Sequence, residues 1–148
     1  MQTDRKKLGF TLIEVMTALL ILALVSTLVI SISLQVTSML NASKLRNQAV
    51  ALSEQTLEQA RGYYQQNGWA GLTSVYLTTY PTPTCYTDGT FASRIISCGF
   101  TGISGTPFSQ VVELTALDAT QFNVEVTINW DLKGVTQTEQ IVTYFYNY

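Results

Sequence analysis

Gly9-Phe10-Thr11-Leu12-Ile13-Glu14-Val15-Met16 lies between the cations Arg5, Lys6 and Lys7 and an apolar run that carries no charge from Val15 to Leu34. A basic leader ahead of an apolar segment is the pattern of an export signal, with the cations held on the cytoplasmic side while the apolar part enters the bilayer. Two residues set this one apart. Gly9 comes before the apolar run instead of after it, and a carboxylate, Glu14, stands near its start. A charge at the centre of a helix in lipid costs roughly 2.5–3.5 kcal/mol on an insertion scale, so Glu14 is expected near the interface or opposite a partner.

The run is rich in Leu, Ile, Val and Ala and is long enough for one crossing of the hydrocarbon core. Ser26, Thr27, Ser31 and Ser33 do not forbid insertion, because their hydroxyls can bond to the helix's own carbonyls. With the cations inside, the rest of the chain is expected outside the cytoplasm. A rival reading takes Ser31-Ile32-Ser33 as a small-x-small site for ordinary signal peptidase, which leaves a secreted protein starting at Leu34. The position of Glu14 and the length of the run place that reading second.

The string from Gly9 to Met16 resembles the processing site of type IV prepilins and of the related pseudopilins of type II secretion. The resemblance implies that a prepilin peptidase cuts between Gly9 and Phe10 and that Phe10 becomes the N-methylated first residue. Leu8 stands where that family more often has a polar or charged residue. Cleavage frees an amine on Phe10, and Glu14 lies one helical turn on, about 6 Å along the axis. An amine and a carboxylate gain by pairing where water is scarce. In the family the carboxylate meets the amine of a neighbouring subunit, which makes Glu14 the expected filament-assembly residue.

The helix is expected to continue well past Leu34. Leu45, Ala49, Leu52, Thr56, Ala60 and Tyr63 recur at three- and four-residue intervals, with Lys44, Arg46, Gln48, Glu54, Glu58 and Arg61 on the polar faces. Asn67-Gly68 reads as the stop, since both residues tolerate the left-handed conformation of a helix end. A helix over 10–66 would extend roughly 85 Å. The expected organisation is a leader at 1–9, a transmembrane or filament-core half-helix at 10–34, an amphipathic half-helix at 35–67, and a β-rich head at 68–148.

Within the head, residues 69–108 are rich in Thr, Ser and Gly, contain Pro81, Pro83 and Pro107, and read as a long connection with one short strand at 93–98. Cys85 and Cys98 lie in this tract. In an exported head they can form a disulfide, worth roughly 3 kcal/mol for a loop of that size. Residues 122–131 alternate strictly between apolar and polar, the period of a strand with one buried face. Lys133-Gly134 offers a turn, 135–148 a returning strand, and 110–117 a third. The outer half of the helix is the available cover for such a sheet. The fold expected is α+β, a long N-terminal helix on a C-terminal antiparallel sheet, which is also the pilin-like fold the resemblance implies.

The 148 residues suit one such head, and the net charge is −2, or −4 once the basic leader is removed. That balance argues against a nucleic-acid-binding face. The chain has no histidine, which removes the usual general base and, with only two cysteines, a typical zinc shell. No metal, cofactor or catalytic role is expected. Glu113, Asp118, Glu125, Asp131 and Glu139 read as surface charge. Tyr144, Tyr146 and Tyr148 on one strand face, with Tyr76, Tyr80 and Tyr86 in the connecting tract, read as packing or subunit contact before ligand stacking.

The function expected is a structural subunit, minor pilin-like, of a type IV pilus or related filament. The alternatives are a pseudopilin of a type II secretion system and a stand-alone anchored or secreted binding module. Its expected partners are prepilin peptidase, other pilin or pseudopilin subunits and the inner-membrane assembly machinery. It is expected to be a single-pass cytoplasmic-membrane protein with an exported head, and later part of a filament.

Overall fold

The computed structural model describes residues 11–76, 83–95 and 97–147. The chain divides into two compact units, residues 1–41 and 42–148. Helix α1, Leu12–Val75, contributes to both.

In the first unit α1 presents its apolar side chains outward, from Leu12 and Ile13 to Met39 and Leu40. The helix is long and apolar enough to cross a membrane. The hydroxyls expected to bond internally do so: Ser26 Oγ donates to Leu22 O at 2.8 Å, Thr27 Oγ1 to Leu24 O at 2.8 Å, Ser31 Oγ to Thr27 O at 2.9 Å and Ser33 Oγ to Val29 O at 2.8 Å.

In the second unit the apolar stripe of α1 meets a sheet. Ala49, Ser53, Thr56, Leu57 and Ala60 are buried, while Leu45, Leu52 and Tyr63 are partly buried against the same core. The small residues let the backbone approach closely, and the spacing of three and four keeps the stripe on one face.

The sheet contains β1 (Thr84–Tyr86), β2 (Arg94–Ile95), β3 (Thr101–Gly102), β4 (Phe108–Asp118), β5 (Gln121–Leu132) and β6 (Val135–Tyr146). Its order is β2-β1-β4-β5-β6, with β3 also pairing β4, and every pairing is antiparallel. The alternation read in 122–131 is the burial pattern of β5: Phe122, Val124, Val126, Ile128 and Trp130 are buried, and Asn123, Glu125, Thr127 and Asn129 are not. Cross-strand partners extend that inner face to Val112 and Leu114 on β4 and to Ile141 and Phe145 on β6. The β5–β6 turn is made by Lys133 (φ 57°) and Gly134 (φ 80°), the two left-handed positions of a tight hairpin. Gly134 N donates to Asp131 Oδ1 at 2.9 Å.

Two expectations are corrected. Asn67-Gly68 is not the end of the helix. Gly68 (φ 63°, ψ −163°) breaks it, and helix resumes as far as Val75. The resumed turns are held because Leu72 is fully buried and the Trp69 ring lies 4.8 Å from that of Phe122. Apolar burial at 69, 72 and 75 outweighs a local stop signal. The tract 69–108 is likewise more ordered than a connection with one strand: it carries β1 to β3, and Tyr86 is a core residue whose hydroxyl donates to Val75 O. Pro81, Tyr80 and Tyr148 lie outside the described residues.

The turn after β1 presses closely on α1. A Cβ added at Gly89 would stand 2.1 Å from Thr56 O and 2.9 Å from Ala60 N, both backbone atoms that cannot step aside. Gly89→Ala is therefore expected to lower stability by about 1–3 kcal/mol, read as a fall in the denaturation midpoint of the full chain, with Gly62→Ala, which meets open space, as the control.

Candidate functional site

The processing and assembly residues cluster at the start of α1. Thr11 O accepts from Glu14 N at 3.0 Å and from Val15 N at 3.3 Å, which opens the helix and sets Glu14 in its first turn. A carboxylate there complements the unpaired amides and positive end of the helix dipole. The carboxylate is exposed beside Val15, Ala18, Leu19 and Leu22, and no described residue forms an ion pair with it. Gly9 and Phe10, the expected cleavage and N-methylation positions, lie outside the described residues, as does the rest of the leader. What the described part offers is a charged group at the threshold of an apolar surface that extends through Leu40. Such a surface binds an apolar environment, and the carboxylate calls for a cation within it.

The disulfide lies in the head. Cys85 on β1 and Cys98 are joined, with their Cα atoms 5.1 Å apart. The bridge pins the short strands β1 and β2 beside β4, which few backbone bonds would otherwise hold.

The five head carboxylates have distinct surroundings. Asp118 accepts from Thr120 N at 2.7 Å and Thr120 Oγ1 at 2.8 Å, closing the β4–β5 turn; these bonds hold its pKa below the usual carboxylate range. Asp131 caps the β5–β6 turn, and Glu139 Oε2 lies 3.6 Å from Arg46 Nε on α1. Glu113 and Glu125 are directly opposite on β4 and β5, on the face turned away from the helix. Partial burial, followed by the neighbouring Glu125 charge, pushes the Glu113 carboxyl up. The Gln140 amide donates to Glu125 Oε1. Glu113 is thus not simply a solvated charge, and its opposition to Glu125 follows from the register, which no local pattern discloses.

The tyrosines divide. Tyr63 and Tyr86 pack edge-on against Phe91 with centroids 5.2 Å away, Tyr64 lies 4.9 Å from Phe145, and Tyr76 5.3 Å from Phe122. Tyr144 and Tyr146 stay exposed on the outer face of β6. Sequence reasoning missed a polar link across the core as well. Thr56 Oγ1 lies 3.3 Å from Gln110 Oε1, and Gln110 Nε2 donates to Thr87 O at 2.6 Å, tying α1 to β4 and to the turn that holds Gly89.

With the geometry in place, the comparisons add one result. The family model described as the prokaryotic N-terminal methylation motif matches residues 4–30. No curated protein and no solved structure matches the chain. The chain is type IV prepilin-like, and the match points to a structural subunit. It implies processing by a prepilin peptidase and assembly with other pilin subunits.

The Glu113 environment has a measurable sign. A folded pKa above the unfolded one means the native state binds the proton more tightly, so the group favours folding below its unfolded pKa and loses that contribution as pH rises through the folded value. Glu113→Gln, which mimics the protonated form, is expected to raise the melting temperature at pH 7. The gain should vanish as pH falls below the carboxylate range, as followed by circular dichroism from pH 3 to 8.

Proposed function

We propose that this chain is a structural, minor pilin-like subunit of a type IV pilus or a related filament. The single observation that carries the reading is the coincidence of the methylation motif at residues 4–30 with a helix whose apolar surface is uncovered from Leu12 to Leu40. In this reading prepilin peptidase removes residues 1–9, and the new terminus at Phe10 is methylated. The helix holds the subunit in the cytoplasmic membrane until assembly machinery transfers it to a filament.

Two opposite charges drive the transfer. The freed amine of Phe10 and the carboxylate of Glu14 are both costly in an apolar medium, and the cost falls when the amine of one subunit meets the carboxylate of the next. The apolar surface then exchanges lipid for neighbouring helices. The head, including its Cys85–Cys98 bridge, lies on the exported side, where oxidation is favoured. A pseudopilin of a type II secretion system would use the same N-terminal chemistry. The modest, Thr-rich head is what favours the minor pilin.

Replacement of Gly9 by Val is expected to leave a precursor in the membrane, heavier by the nine-residue leader on intact-mass analysis; a mature mass for this variant would sink the processing reading. Glu14→Ala should leave leader removal intact and lower incorporation into sheared filaments by at least tenfold, about 1.4 kcal/mol in the assembly equilibrium. Undiminished incorporation would remove the role given to the carboxylate.

A further inference from the structure

Strand β6 is an edge without the devices that normally blunt one. It pairs with β5 over twelve consecutive residues, from Val135 opposite Leu132 to Tyr146 opposite Gln121, with no register shift. No described strand pairs with its other side. Within Val135–Tyr146 there is no proline, glycine, lysine or arginine, and the one charge, Glu139, is matched by Arg46 on α1. Edge strands are ordinarily short, bulged, prolyl or lysine-bearing, because a regular row of free amides and carbonyls is a template for another strand. The opposite side of the sheet is blunted in that way: β2 and β3 have two residues each and the disulfide lies beside them.

A groove runs alongside the open edge. Ile141 forms its floor with Leu57, and Glu54, Glu58 and Arg61 form its helical wall, enclosing about 370 Å³. Arg61 and Glu58 are paired with each other. On the other face of the same strand Val142 and Tyr144 are exposed.

We propose that β6 binds an extended segment of another polypeptide by strand addition. Its backbone continues the sheet, its inward side chains are apolar and rest on Leu57 and Ile141, and its outward ones are uncharged beside Thr138, Gln140 and Val142. Main-chain hydrogen bonds supply the affinity and the alternate side chains the selectivity. Glu54 in the wall disfavours an inward carboxylate.

The segment does not come from a second copy of this strand. Arg46 lies by Glu139, Leu57 and Arg61 by Ile141, and Tyr64 Oη donates to Tyr146 O, so α1 and β6 run in the same direction. An antiparallel β6–β6 pair would point the two helices in opposite directions, which two subunits anchored in one membrane cannot do. A parallel pair would lay the polar Thr136, Thr138 and Gln140 of one copy over Leu57 and Ile141 of the other. The first exclusion rests on the membrane anchoring proposed above; the open edge and its groove do not.

Hydrogen exchange tests this on the full-length protein in detergent micelles, with the peptide acetyl-Thr-Val-Thr-Val-Thr-Val-Thr-amide as probe. In the free protein alternate amides of 135–146, those directed away from β5, should exchange at least tenfold faster than their neighbours, and millimolar peptide should slow them at least tenfold. Uniform protection of β6 without peptide, no slowing with it, or equal slowing at 94–95 would overturn the proposal. Combining Thr138→Lys with Val142→Lys should abolish the effect while the β4–β5 amides stay protected. Should that variant fail to fold, the same peptide with Asp in place of Val decides on the native chain. Protection by the Asp peptide equal to that by the Val peptide would refute the selectivity. Failure of these tests leaves leader removal and the Glu14 result untouched.

Discussion

An apolar helix that its own chain leaves uncovered must be covered by something else, and residues 12–41 form such a helix. Free energy of burial scales with apolar area removed from water, about 25 cal/mol per Å². Large side chains from Leu12 to Leu40 remain open along this segment, so water is not its working solvent. The single carboxylate at its threshold follows from the same constraint, because in such surroundings a charge is tolerated only with a partner or at the boundary. Processing, anchoring and assembly, as proposed, are successive ways to satisfy one hydrophobic surface and one charge.

The second unit solves the opposite problem. From residue 42 onward the same helix has a narrower apolar stripe, and the sheet supplies the cover. The stripe is built largely of small residues, with Ala49, Ser53 and Ala60 fully buried, so helix and sheet meet at backbone distance and leave Gly89 no room for a side chain. Close approach places polar groups inside, and Thr56, Gln110 and Thr87 satisfy one another there. The disulfide then secures the side of the sheet where strands are shortest.

Much of this was legible in the residues. Strict alternation gave away β5, since a period of two belongs to a strand with one face buried, and the three-and-four spacing from Leu45 to Tyr63 marked the face of α1 that packs. Lys133-Gly134 was readable because a two-residue hairpin demands left-handed backbone. The failures came where tertiary burial overrode local preference: Gly68 breaks α1 as its neighbours suggest, but Trp69 and Leu72 find the core and the helix resumes. Strands of two or three residues, such as β1 to β3, carry no period to detect. The opposition of Glu113 to Glu125 and the approach of Arg46 to Glu139 depend on register and on packing across elements, which one strand or helix read alone does not contain.

The serine and threonine hydroxyls of the first unit have a consequence for movement between phases. Each of Ser26, Thr27, Ser31 and Ser33 spends its proton on a carbonyl of the preceding turn. None of those bonds needs a donor or acceptor from outside the segment, so extraction from one oily medium and insertion into another leaves them intact. The rod is polar in composition at those four positions and yet indifferent to which greasy neighbour it has, an advantage for a part that changes company without refolding.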